Sequence, residues 1–111
     1  MYLRRAAEQT LREILASGKV GVILGARQVG KTTLVEHVLA GQSAVFLNFD
    51  VEVDKARFQA AAALTPRDGL LSIGNPSVLV IDEAQRLPDT SRIIKGWHDA
   101  RLPAKFLLLG S

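Results

Sequence analysis

The sequence predicts an α/β fold with a mainly parallel sheet flanked by helices in three layers. Three observations carry that reading. Short β-branched or leucine-rich apolar runs alternate with helical patterns along the whole chain. The run Val78–Ile81 is apolar without alternation, as a strand covered on both faces requires. The residues with chemistry to offer follow directly on strands, at the carboxyl edge where such sheets bind ligands.

Each element has its own reason. Leu3, Ala7, Leu11, Ile14 and Leu15 recur at helical spacing, which predicts a helix over 3–16. Ser17-Gly18 ends it, with Gly18 as a left-handed cap. Lys19–Leu24 reads as the first strand, and residues 25–30 as a glycine-punctuated loop. From Lys31 a helix carries Leu34, Val35, Val38 and Leu39 on one face and stops at Gly41. Ala44–Phe49 is the second strand. An alanine-rich helix is expected over 52–64, ended by Thr65-Pro66. Leu70, Leu71 and Ile73 suggest a short helix before the turn Asn75-Pro76-Ser77. Val78–Ile81 is the third strand. Thr90–Ala100 is a helix with Ile93, Ile94 and Trp97 inward, and after Pro103 the run Lys105–Leu109 is the fourth strand.

Composition sets outer limits. The 111 residues make at most one domain, and 48% apolar with 23% charged residues is the balance of a globular chain. There is no cysteine and there are two histidines, which excludes disulfides, thiolate metal sites and a histidine-rich site. No apolar run approaches the roughly 20 residues of a membrane span. Charges stand where a signal peptide needs its apolar stretch, so a cytoplasmic protein without membrane contact is expected. The net charge of +3 is spread among interleaved acids and reads as a solvated surface. It neither supports nor excludes DNA as a partner.

Residues 25–32, Gly-Ala-Arg-Gln-Val-Gly-Lys-Thr, match G-x-x-x-x-G-K-S/T, the phosphate-binding loop, with a strand before and a helix after. Gly25 and Gly30 let the backbone turn tightly around phosphate oxygens. The amides of Gly25, Ala26, Arg27, Gln28, Val29 and Gly30 then form an anion nest at a helix N-terminus. Lys31 is placed for the outer phosphates, Thr32 for Mg²⁺ and Thr33 for the innermost phosphate. Downstream, Val78-Leu-Val-Ile-Asp-Glu83 is a buried strand with a charged carboxyl end. Asp82 is suited to hold Mg²⁺ beside Thr32. Glu83 is suited to polarise a water for attack on the terminal phosphate, which is hydrolase rather than kinase chemistry.

These stretches resemble the AAA superfamily of ATPases, and within it the bacterial and archaeal AAA-type ATPases whose longer members carry a C-terminal domain of unknown function. The matching residues are Tyr2-Leu3-Arg4-Arg5, Leu24-Gly-Ala-Arg-Gln-Val-Gly-Lys-Thr-Thr-Leu34, Phe46-Leu-Asn-Phe-Asp50, Ile81-Asp-Glu-Ala-Gln-Arg-Leu-Pro88 and Leu107-Leu-Leu-Gly-Ser111. The resemblance implies a P-loop NTPase sheet of order 5-1-4-3-2, ATP with Mg²⁺ as cofactors, and a sensor residue closing strand 4, for which Ser111 is the nearest candidate. No stretch matches the second sensor or the arginine finger. The 111 residues are therefore expected to be the N-terminal portion of the domain, truncated after the fourth strand. ATP hydrolysis is expected of the complete domain. A nucleotide-binding switch or assembly module without turnover of its own is the alternative, and a P-loop small-molecule kinase ranks last, for want of a glycine-flexible lid. In such a sheet the first strand becomes an exposed edge, which predicts pairing or a homo-oligomer through it.

The remaining polar residues read more plainly. Asp50 is expected to N-cap the helix after strand 2. Arg86 and Arg92 suit surface ion pairs, His37 a helix surface, and Trp97 with His98 the packing of the last helix. Arg27 fits a phosphate, a neighbouring subunit or solvent. Gln85 fits either orientation of the attacking water or the cap of a turn.

Overall fold

The computed structural model describes residues 2–24 and 31–110, apart from the side chains of residues 2–4 and 31. In chain order the elements are α1 (Tyr2–Ala16), β1 (Gly21–Leu24), α2 (Lys31–Val38), β2 (Ala44–Asn48), α3 (Glu52–Ala62), α4 (Pro66–Ser72), β3 (Val78–Asp82), α5 (Thr90–Asp99) and β4 (Lys105–Gly110). A 3-10 turn over Ala84–Arg86 follows β3. The four strands form one sheet in the order β1-β4-β3-β2, and every pairing is parallel.

The alternation of β3 and β4 divides the core in two. Val78, Val80, Leu107 and Leu109 face one way, against Leu11 of α1 and Val35 and Val38 of α2. Leu79, Ile81, Phe106 and Leu108 face the other way, against Phe58 and Ala61 of α3, Leu70 of α4, and Ile94 and Trp97 of α5. The chain is thus three-layered. On the second face the aromatic rings run in series. Phe49 lies 5.4 Å from Phe58, Phe58 lies 5.6 Å from Trp97, and Trp97 lies 6.2 Å from Phe106, none stacked face to face.

Several boundaries differ from the sequence expectation, each for a local reason. β1 begins at Gly21 and not at Lys19, because the amide of Lys19 donates to Ser17 Oγ at 3.2 Å and Gly18 sits at φ +74°. Those residues finish α1 before any ladder can start. Thr65-Pro66 does more than end α3. Thr65 Oγ1 accepts from the amide of Asp68 at 3.2 Å, and Pro66 occupies the first turn, so the pair starts α4. Asp50 does not cap α3. The capping position is Val51, which has no side-chain cap bond, and the Asp50 carboxylate instead pairs with Arg86 Nε at 3.0 Å.

Gly69 of α4 lies close against both α3 and α5. A Cβ there would lie 2.5 Å from the carbonyl oxygen of Ala61 and 2.8 Å from the Trp97 ring. In α5, a Cβ on Gly96 would meet nothing within 4 Å. The two glycines therefore predict opposite signs. Gly96→Ala should stabilise the fold by about 0.5–1 kcal/mol through helix propensity. Gly69→Ala should destabilise it by about 1–3 kcal/mol, since overpacking outweighs that gain. Urea unfolding of the two variants checks both.

Candidate functional site

The register sets the carboxyl ends of the strands level. Leu24 of β1 lies opposite Gly110 of β4, and Asn48 of β2 opposite Asp82 of β3. Chemistry-bearing residues gather on this edge. Lys31 opens α2 and Thr32 is its second residue. Thr32 Oγ1 donates to Asp82 Oδ2 at 3.0 Å, which joins the helix after β1 to the end of β3. The other oxygen, Asp82 Oδ1, accepts from the backbone amide of Glu83 at 2.9 Å. Both carboxylate oxygens of Asp82 are thereby oriented by the fold.

Glu83 leaves the strand abruptly. Its backbone is left-handed, φ 53° and ψ 44°, a conformation that costs a non-glycine residue about 1–2 kcal/mol. The bond from its own amide to Asp82 compensates in part. The turn breaks the alternation of β3, so the two adjacent carboxylates do not share a strand's geometry. Glu83 is only 8% exposed, and its Oε1 accepts from Gln85 Nε2 at 2.7 Å. Of the two roles the sequence left open for Gln85, the structure shows neither directly: its amide holds Glu83.

Other expected site residues fall as follows. Thr33 is on α2 and exposed. Gly25, Ala26, Arg27, Gln28, Val29, Gly30 and Ser111 lie outside the described residues, as does the Lys31 side chain. Arg86 and Arg92 form surface ion pairs, with Asp50 and, at 3.4 Å, with Asp89. His37 reaches Glu8 at 3.4 Å across the surface of α1 and α2.

Among the described residues no cluster of three or more His, Asp or Glu could hold a metal ion by itself. Mg²⁺ usually takes one or two protein ligands and completes its shell with water and phosphate oxygens. A hydroxyl and a carboxylate within hydrogen-bond distance, one at a helix N-terminus and one at a strand end, fit such an ion. A cavity of about 870 Å³ lies at the opposite edge of the sheet, lined by His98, Arg101 and Lys105 among others. Two of these three bases are already engaged: Lys105 Nζ donates to Leu15 O at 2.7 Å, and His98 Nε2 lies 2.8 Å from Gly18 O. Those contacts hold the end of α1 and offer a ligand little.

A family of sequences described as an AAA domain matches residues 17–111, which takes in every strand. The chain is also 40% identical over 112 residues to uncharacterized protein Mb2031c of Mycobacterium bovis and to uncharacterized protein Rv2008c of Mycobacterium tuberculosis. The match covers 97% of this chain but only 23% of each relative's length.

The Thr32–Asp82 bond predicts a measurable effect. Thr32→Val keeps the shape of the side chain and removes the donor. Unfolding in urea without nucleotide should show a loss of about 1 kcal/mol, the ordinary worth of a half-buried hydrogen bond. Unchanged stability would mean that the bond is not formed in solution.

Proposed function

The chain belongs to the AAA domain family, a nucleotide-binding family of ATPase type, and from that premise we propose that it binds ATP with Mg²⁺ and that the complete domain hydrolyses it. The observation that carries the reading is the 3.0 Å bond between Thr32 and Asp82. It brings the last residue of the G-x-x-x-x-G-K-S/T motif to the acid that ends β3, two positions far apart in sequence.

In this reading the amides of residues 25–30 and the Lys31 ammonium bind the phosphates. Thr32 and Asp82 hold Mg²⁺, which when bound offsets negative charge on the phosphate oxygens. Glu83 takes the proton from water as its oxygen bonds to the terminal phosphorus and the bridging P–O bond breaks, releasing ADP and phosphate. Ser111, next after Gly110, would touch the terminal phosphate or the water.

Two measurements test the assignment. ATP affinity by titration calorimetry should fall by about 100-fold or more in Lys31→Ala, as loss of a charge-assisted contact implies; tight binding that survives would sink the site. Turnover at saturating ATP should fall by about 100-fold or more in Glu83→Gln, the usual worth of a general base. Tight binding without any turnover in the parent chain would favour a nucleotide switch.

The same reading extends to assembly. Among the described residues β1 has a strand beside it only on the β4 side, and Val22 and Leu24 are 52% and 72% exposed. We propose that this edge pairs with another strand. Light scattering at high concentration should show self-association that Val22→Lys reduces; a clean monomer would count against the edge.

A further inference from the structure

We infer that Gln85 is a positioning residue for Glu83, and that it is seated by the bare Cα of Gly110. The inference rests on the reading of Glu83 as the base. A buried carboxylate needs donors, and the backbone amide of Glu83 is already engaged with Asp82. The Gln85 amide supplies one at 2.7 Å. Its orientation follows from chemistry. An ionised carboxylate only accepts, so the NH₂ end must face Glu83 and the carbonyl end must face away.

That carbonyl end lies against β4. A Cβ built on Gly110 would sit 2.8 Å from Gln85 Oε1 and 3.7 Å from its Cδ. Any side chain at position 110 therefore displaces the Gln85 amide. The remaining close neighbour, Leu24 Cδ2 at 3.2 Å, is the tip of an exposed side chain and can give way. Gln85 itself is exposed on a 3-10 turn and contributes little to the core. One amide thus spans from the carboxylate after β3 to the last residue of β4. A base must be oriented as well as near, and a misplacement of about 1 Å can cost about 100-fold in rate. Gln85 limits the rotamers of Glu83, and Gly110 limits those of Gln85.

The test uses the full chain and two readouts. Without nucleotide, the NMR signals of the Gln85 side-chain amide should move in Glu83→Ala and again in Gly110→Ala, because both changes disturb the bond. With MgATP, Gln85→Ala and Gly110→Ala should each lower kcat by roughly 10- to 100-fold while leaving KM and nucleotide affinity nearly unchanged. The double variant should be no slower than Gln85→Ala alone, since the clash at position 110 needs the longer side chain. A Gln85 amide indifferent to Glu83→Ala overturns the contact. A kcat that is unchanged or raised in Gln85→Ala, or losses that add in the double variant, overturns the positioning role. Failure of Lys31→Ala to weaken nucleotide binding would instead strike the site reading and leave the amide signals to report on the contact.

Discussion

The insertion of β4 between β1 and β3 is the constraint on which the rest depends. Phe106 to Leu109 are all buried, two on each face of the sheet. Such a strand has no stable place except the middle of a covered sheet. Its presence sets β1 and β3 two strand spacings apart, about 9.6 Å. Helix α2, which starts after β1, must then reach across the end of β4 for Thr32 to meet Asp82. A larger sheet separation would leave the hydroxyl and the carboxylate apart. The hydrophobic burial of one strand therefore fixes the distance between two polar groups that never touch it in sequence.

At the edge so defined, small terms govern. The Thr32–Asp82 bond is half-buried and worth about 1 kcal/mol. The left-handed turn at Glu83 costs a comparable amount. Neither term decides whether the domain folds, because the apolar faces of β3 and β4 do that. They decide where carboxylate oxygens point.

The layering was legible in the sequence because both signals it needs are strong and local. Val78–Ile81 is apolar throughout, and the amphipathic spacing of Leu11, Ile14 and Leu15 or of Val35, Val38 and Leu39 is regular. The approach of Thr32 to Asp82 was legible from motif chemistry. What escaped depends on geometry that no residue type reports. Asp50 looked like a helix cap, yet its partner Arg86 lies on a turn that only the fold brings beside it. Gln85 had two plausible roles, and the 3-10 turn that settles its partner leaves no periodic trace in three residues. Gly69 and Gly110 look like ordinary glycines; their demands come from Ala61, Trp97 and Gln85, reached through space.

The two edges of the sheet use polar side chains in different ways, and the difference separates framework from site. At the amino edge they bond to backbone carbonyls. Lys105 Nζ meets Leu15 O, Ser77 Oγ meets Ser43 O, and the His98 ring meets Gly18 O. A carbonyl at a helix end or loop needs a donor whatever is bound elsewhere, so these contacts serve the framework. At the carboxyl edge some side chains also bond to backbone, as Asp82 does to the Glu83 amide, but two bonds there join side chain to side chain, Thr32 to Asp82 and Gln85 to Glu83. Each of these can exchange its partner for a ligand or a water without orphaning the backbone. The larger cavity lies at the amino edge, whereas the two side-chain-to-side-chain bonds stand at the carboxyl ends of the strands, so cavity size and exchangeable bonding pick out opposite edges of the same sheet.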